Sequence, residues 1–372
     1  MANYDFAVVG GGLVGSAIAY GLSGAGHSVV VLDEGDVAYR ASRGNFGLVW
    51  VQSKGLGMPN YSDWSQSSST LWQELAPELE ALTGIDVQHR RPGGVHICHT
   101  EQEWRERRRT MENLAAQTSG RFRFDMLDHA ALASLVPAIG DDVFGASWTE
   151  MDGHANPLYL LRALHAGVQK RGGHYCTGGP VRRVIRDGES FRLERDGQSI
   201  RSERVILAAG LGNRELAKQV GLEAPLSPNR GEVMITERVA PLLDIPTTYL
   251  RQTAEGSLQI GDSHEDVGMN DGTRTEVLAE IAQRALRAFP RLRDVRIVRT
   301  WGALRVMTPD GFPIYQASKT HPGAYLACCH SGVTLAAAHA MRLAPWIAGG
   351  ASPQEIVPLT AERFDVRVPE TA

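Results

Sequence analysis

The chain has 372 residues, enough for two or three ordinary domains and a large buried core. Hydrophobic residues at 43% and charged residues at 22% describe a globular chain, which excludes a disordered or fibrous one. A formal charge of -4 leaves no polycation for nucleic acid or anionic lipid, and no apolar run approaches the roughly 18 residues of a bilayer span.

The start, "MANYDFAVVGGG", has no basic segment followed by an apolar one, so no secretory signal is expected. Residues 5–34 read as a complete βαβ unit. An apolar strand, "FAVVG", runs into Gly10-Gly11-Gly12-Leu13-Val14-Gly15; an Ala-rich helix ends at Gly26, and a second strand, "SVVVLDE", follows. Gly10 permits the tight turn, Gly12 lets backbone approach a pyrophosphate, and Gly15 allows close packing of helix on strand. The helix start offers unpaired N–H groups to phosphates. Asp33 ends the second strand, 18 residues after Gly15, where a carboxylate can accept from a ribose hydroxyl. Glu34 is the weaker candidate, because its side chain leaves the strand on the other face. The fingerprint means a dinucleotide; by itself it does not separate FAD from NAD.

The next segment, "AYRASRGNFGLVW" (38–50), gathers Ser42, Arg43, Gly44, Asn45 and Gly47, a loop able to bring backbone against a second part of a large cofactor. "EWRERRRTMEN" (103–113) is locally basic, but its acidic neighbours make it a solvated helix face. "NPLYLLRALHAGVQKRGG" (156–173) is an amphipathic helix with a glycine stop. Short strands with turns at Asp187-Gly188 and Asp196-Gly197 lead into "RVILAAGLGN" (204–213), whose Ala209-Gly210 end can pass close to a cofactor. "RGEVMITE" and "GSLQIGDS" read as further strands. "RTWGALRVMTPDGFPIY" (299–315) holds Arg305 between a Trp-Gly step and a Thr-Pro-Asp-Gly turn. In "GAYLACCHSGVTLAAAHAMRLAPWIAGG" (323–350) a strand, a turn at Gly332 and an Ala-rich helix succeed one another. Cys98, Cys176, Cys328 and Cys329 match no zinc spacing, so no metal site is expected, and such sparse cysteine suits a reducing cytoplasm.

In this order, "VVGGGLVGSAIAYGLSGAGHSVVVLDEG", "ASRGNFG", "VRRVIRDG", "RVILAAG", "RGEVMIT", "WGALRVMTPDGFPIY" and "CCHSGVTLAAAHA" resemble the FAD-dependent D-amino-acid oxidase superfamily, on its glycine oxidase and sarcosine oxidase branch. "SRGNFGLVWVQSKG" is similar to the flavin-carrying β subunits of opine oxidases and D-hydroxyproline dehydrogenases. The resemblance implies an α/β architecture. A Rossmann-like FAD-binding domain (1–82, 152–222 and 302–365) would be interleaved with an α+β substrate domain on a large mixed sheet (83–151 and 223–301). FAD would lie with its adenosine at Asp33 and near Val181, and its pyrophosphate at Gly12, Leu13, Val14 and Gly15. Ala209 and Gly210 would flank it. The flavin would reach Ser42 to Gly47 and Leu48, Gly302 where the chain re-enters the FAD domain, and Ser331, Gly332, Val333 and Thr334.

Members of this superfamily oxidise an amine's C–N bond by hydride transfer to flavin N5, giving an imine that hydrolyses. Arg305 matches the carboxylate-binding arginine of glycine oxidases, and Tyr249 a substrate-side tyrosine. His330 would bond the ring or tune the amine's protonation, and Arg251 would help bind a second carboxylate. His264 reads as an exposed loop histidine. Sarcosine oxidases attach their flavin through a cysteine in the stretch corresponding to "LRVMTPDG"; Met307 and no cysteine stands there, so FAD is expected to be non-covalent.

The substrate class is then an amino acid or secondary-amine acid with a carboxylate: opine, D-hydroxyproline, D-amino acid, sarcosine or glycine. A second reading is an electron-transferring subunit that passes electrons to a partner chain rather than to oxygen. An RNA-directed flavoprotein is disfavoured by the acidic balance, and a nicotinamide-dependent reductase by the single fingerprint. A cytoplasmic location is expected, with peripheral attachment to the inner membrane face left open.

Overall fold

The computed structural model describes residues 3–35 and 41–365, so residues 38–40 of the loop quoted above lie outside the described residues. In chain order come β1 (Asn3–Val9), α1 (Leu13–Gly24), β2 (Val29–Leu32), β3 (Leu48–Val49) and the long α2 (Pro59–Thr83). Then follow β4 (Gly94–Cys98), α3 (Glu101–Gln117), β5 (Asp125–Asp128), α4 (His129–Leu135), β6 (Gly145–Thr149) and β7 (Gly153–His154). The middle of the chain forms α5 (Pro157–Lys170), β8 (His174–Cys176), β9 (Arg183–Asp187), β10 (Ser190–Arg195), β11 (Gln198–Leu207) and α6 (Asn213–Leu216). The last part holds β12 (Ser227–Arg238), β13 (Leu250–Gln252), β14 (Ser257–Ile260), α7 (Thr275–Ala288), β15 (Ile297–Met307), β16 (Ile314–Ala317) and β17 (Ala324–Cys328).

The first sheet has the order β16-β17-β11-β1-β2-β8, with β10 and β9 continuing from the N-terminal half of β11. Its pairs from β17 to β8 are parallel, and β16 is antiparallel at the edge. A parallel strand covered on both faces reads as an unbroken apolar run, and Phe6–Val9 is one. Alternation then sorts it: Phe6 and Val8 enter the core that includes α1, α2 and α5, while Ala7 and Val9 enter the opposite core with Phe191, Leu193 and Leu216.

The second region combines an antiparallel sheet, β13-β14-β12-β15, with a three-stranded one, β4-β6-β5. A parallel bridge between Val95 and Thr247 joins them, which makes the combined surface mixed. Helix α7 lays Val277, Ile281, Ala285 and Ala288, on one face, over this core. The fold is the expected α/β arrangement with a large mixed sheet. A two-stranded ribbon, β3 with β7, ties the loop after β2 to the entry of α5.

Candidate active site

Where β1 ends, Gly10 takes φ 104°, a left-handed conformation natural to glycine, and a Cβ there would overlap the Ala208 carbonyl. A Cβ on Gly15 would overlap the Gly10 carbonyl, so α1 can start this close to the strand only without a side chain there. Gly10 belongs to the wall of a cavity of about 440 Å³. Gly10, Gly12, Leu13 and Val14 line it, with Asp33, Glu34, Val181, Ser42, Arg43, Asn45, Ala209 and Gly210. Cys328, Cys329, His330 and Gly332 belong to the same lining. Asp33 Oδ2 accepts from the Gly11 N–H at 2.7 Å and Oδ1 from the Gly35 N–H at 3.0 Å, which fixes the carboxylate beside the glycine turn. Ser42 Oγ accepts from Leu13 N–H at 2.9 Å, binding the loop that carries Ser42 to the start of α1.

A second cavity, of about 580 Å³, shares Asn45 and His330 with the first, so the two meet at those residues. Leu48, Ser331, Val333 and Thr334 line this second cavity. From the other region come Tyr249, Asp262, His264 and Arg284, and from β4 and its exit His96 and His99. Tyr249 is buried, its hydroxyl 3.3 Å from His99 Nε2 and its ring 4.6 Å from the Arg284 guanidinium. Burial holds its phenol well above the ordinary range. Burial, reinforced by the charges of Lys54 and Arg305, pushes His330 far below its usual value, so the imidazole is neutral at pH 7. Lys54 Nζ lies 3.2 Å from His330 Nε2, and burial lowers its ammonium to about 8, with Arg305 adding to the shift.

A family model described as "FAD dependent oxidoreductase", DAO, matches residues 5–346. The chain belongs to the DAO family of FAD-dependent oxidoreductases. Across the full length of both chains it is 43% identical to an opine oxidase subunit of Rhizobium meliloti, over 371 residues. It is 25% identical over 319 residues to glycine oxidase of Bacillus subtilis (strain 168), covering 84% of this chain and 83% of that one. In fold it matches glycine oxidase from Geobacillus kaustophilus, with a TM-score of 0.88 at 22% identity over 97% of this chain and 98% of that one. FAD is therefore the cofactor. The glycine turn at Gly10 to Gly12 and the Asp33 carboxylate in the wall of the first cavity fit it.

Within this DAO-family frame several residues stand elsewhere than the sequence suggested. Arg305 lines neither cavity. Its Nη1 donates to Ser263 O at 2.8 Å and Asn229 Oδ1 at 3.1 Å, and its Nη2 lies 3.3 Å from Asp262 Oδ2. Gly302 also lines neither; a Cβ there would meet the Asp271 carbonyl at 2.5 Å, so its small size serves packing against that segment. Gly44 and Gly47 pack in the same way against Ala303 and the Ala155 carbonyl. Arg251 is buried away from the second cavity, donating to Phe46 O at 2.5 Å and Gln259 Oε1 at 2.7 Å, so it braces the loop before β3. His264 is exposed, as expected, with Nε2 3.2 Å from Asp262 Oδ2. On α3, Arg105 and Arg108 form the expected exposed pairs with Glu101 and Glu112, but Arg107 turns inward to Gln52 and Ser147.

Lys54, His96, His99, Asp262 and Arg284 were not legible as site residues, because they reach one cavity only through tertiary packing. Lys54 alone carried a signal. It is one of four lysines in a chain with 38 Lys and Arg residues, and it stands three residues after the apolar stretch that ends at Val51.

Proposed function

We propose that the chain oxidises the C–N bond of an amino acid or secondary-amine acid of the opine, D-hydroxyproline, sarcosine or glycine type, giving an imine that hydrolyses. The observation that carries this reading is the meeting of the two cavities at Asn45 and His330. The bound FAD supplies the acceptor for two electrons from the carbon bearing the amine. Ser42 to Asn45 and Gly332 would hold its redox end, and Asp33 with Gly12, Leu13 and Val14 its nucleotide end. Tyr249 and His330 would face the substrate, the tyrosine neutral and the imidazole uncharged, in a cavity closed on one side by the substrate region. Arg305 would receive the substrate carboxylate only by displacing or bridging its pair with Asp262.

The domain division given above is part of this proposal. It is supported by a separate core containing Val95 to Ala146 and Met234 to Leu292, set apart from the two cores of the first sheet. The full-length likeness to one subunit of an opine oxidase favours a second reading, an electron-transfer subunit of a heteromeric dehydrogenase. One experiment addresses both readings. FAD-loaded protein is mixed anaerobically with iminodiacetate, sarcosine, glycine and N-(carboxyalkyl) amino acids, then repeated in air with peroxide detection. Bleaching by a secondary-amine acid is expected, and a panel that leaves the flavin oxidised sinks the proposal. Bleaching without peroxide in air favours the subunit reading.

A further inference from the structure

We propose that Lys54 takes the proton from the substrate's ammonium before the C–N bond is oxidised, with His330 as the positioning residue that aims it. This rests on the amine-oxidising reading above. The other three lysines, Lys170, Lys218 and Lys319, are all exposed; Lys54 is partly buried in the wall of the second cavity. Elsewhere the chain overwhelmingly uses arginine, which stays protonated and cannot act as a base. At this one wall position stands a cation able to give up its proton.

The surroundings favour that use. The hydrogen-bond partner of Lys54 is a neutral imidazole rather than a carboxylate that would lock it as an ammonium. Of the charged groups acting on it, Arg305 disfavours the ammonium, while Cys329, Asp152 and Asp262 favour it, and burial outweighs them all. The same cavity presents His96, His99, His264, Glu103, Arg284 and Tyr249. Burial lowers His96 to about 3 and also lowers His99, and burial raises Tyr249, so none of these three exchanges a proton readily near neutral pH.

The backbone carrying Lys54 is braced. Lys54 N–H donates to Val51 O at 2.9 Å, and Val51 N–H and Gln52 Nε2 donate to the buried Asp152 carboxyl at 2.6 Å each. His330 lines both cavities, so its contact sets Lys54 at their junction. In the step itself, an N–H bond of the substrate ammonium breaks and its electron pair stays on the substrate nitrogen. The proton forms the new N–H bond of the Lys54 ammonium and later leaves to solvent. As the C–H bond breaks and its two electrons pass to FAD as the oxidant, the freed nitrogen lone pair forms the C=N bond of a protonated imine, which sheds its proton to solvent or hydrolyses.

The test uses the FAD-loaded full chain and its Lys54→Met and Lys54→Arg variants. With 13Cε-lysine labelling, four signals are expected, and the one missing from Lys54→Met should titrate near pH 8. A Lys54 signal titrating near 10.5 overturns the inference even if the bleaching screen succeeds, whereas a failed screen sinks the reading beneath it. With the acid that bleaches the flavin, the wild-type reduction rate should rise about tenfold per pH unit below about 8 and then level, because the neutral amine is the competent form. Both variants should lose that limb and fall on the order of 10²-fold or more in rate, with little change in apparent affinity. Rescue by Lys54→Arg would mean the charge anchors a carboxylate, and would overturn the base role.

Discussion

The guanidinium of Arg305 lies flat against Gly231, where any Cβ would overlap Nη2, so a glycine on the neighbouring strand makes room for a charge between β12 and β15. Its counter-ion is Asp262. Burial alone would raise that carboxyl, but the His264 hydrogen bond and the Arg305 charge outweigh it and hold it below its usual range. A substrate carboxylate thus competes with an internal one for the same donor. Arg305→Ala in the FAD-loaded protein should weaken binding of iminodiacetate by roughly 1.5–3 kcal/mol, about tenfold to a hundredfold, read from the flavin absorbance. Asp262→Asn should tighten it, since the internal competitor loses its charge. Unchanged affinity in Arg305→Ala would remove the arginine from the site. The family resemblance pointed to Arg305 as the partner of a substrate carboxylate, but the carboxylate it meets in the fold is that of Asp262, 43 residues earlier.

Between β14 and α7 the chain crosses the sheet as a loop, and its hold on β12 is ionic. Arg230 and Glu232 are fully buried on β12; Arg230 engages Glu265 through Nε at 3.2 Å and Nη2 at 2.7 Å, and lies 3.1 Å from Glu232 Oε1. Glu232 in turn accepts from the Arg274 N–H at 3.0 Å, just before α7. This cluster pins the loop that carries Asp262 and His264 to the cavity wall. Arg230→Ala leaves the buried Glu232 without a cation, while the partly exposed Glu265 keeps Arg274 at 3.3 Å, and should cost about 3 kcal/mol, seen as a lower urea midpoint in chemical denaturation. An unaltered midpoint would mean that the loop is held by other contacts. "RGEV" was legible as a strand from its apolar pattern, yet the ionic role of its Arg and Glu was not, because nothing in a strand pattern says which polar side chains are buried. Helix α3 shows the same limit: its composition announced a solvated face, and Arg107, chemically no different from its neighbours, is the one that turns inward to Gln52.

At the scale of the molecule, FAD is a ligand of the folded state and should stabilise it by mass action, about 2.7 kcal/mol at a hundredfold excess over its dissociation constant. A thermal melt should shift upward with added FAD; no shift would contradict the cofactor assignment. The cysteines that line the first cavity, Cys328 and Cys329, are buried thiols pushed up to about 12 by burial, and the stretch "LRVMTPDG" holds no cysteine. Acid precipitation should therefore release all of the flavin to the supernatant. Among the described residues, no helix is long and apolar enough to cross a membrane. The sequence by itself determined the βαβ unit and the family, because those features depend on local periods, glycines at turns and contacts within some 30 residues. Only the tertiary structure decided the lining of the second cavity. The partners of Arg305, the inward turn of Arg107, the bracing role of Arg251 and the place of Lys54 beside His330 likewise follow from side chains far apart in sequence. Whether a charge is exposed, paired or poised to lose its proton depends on which of them folding brings within a few ångströms.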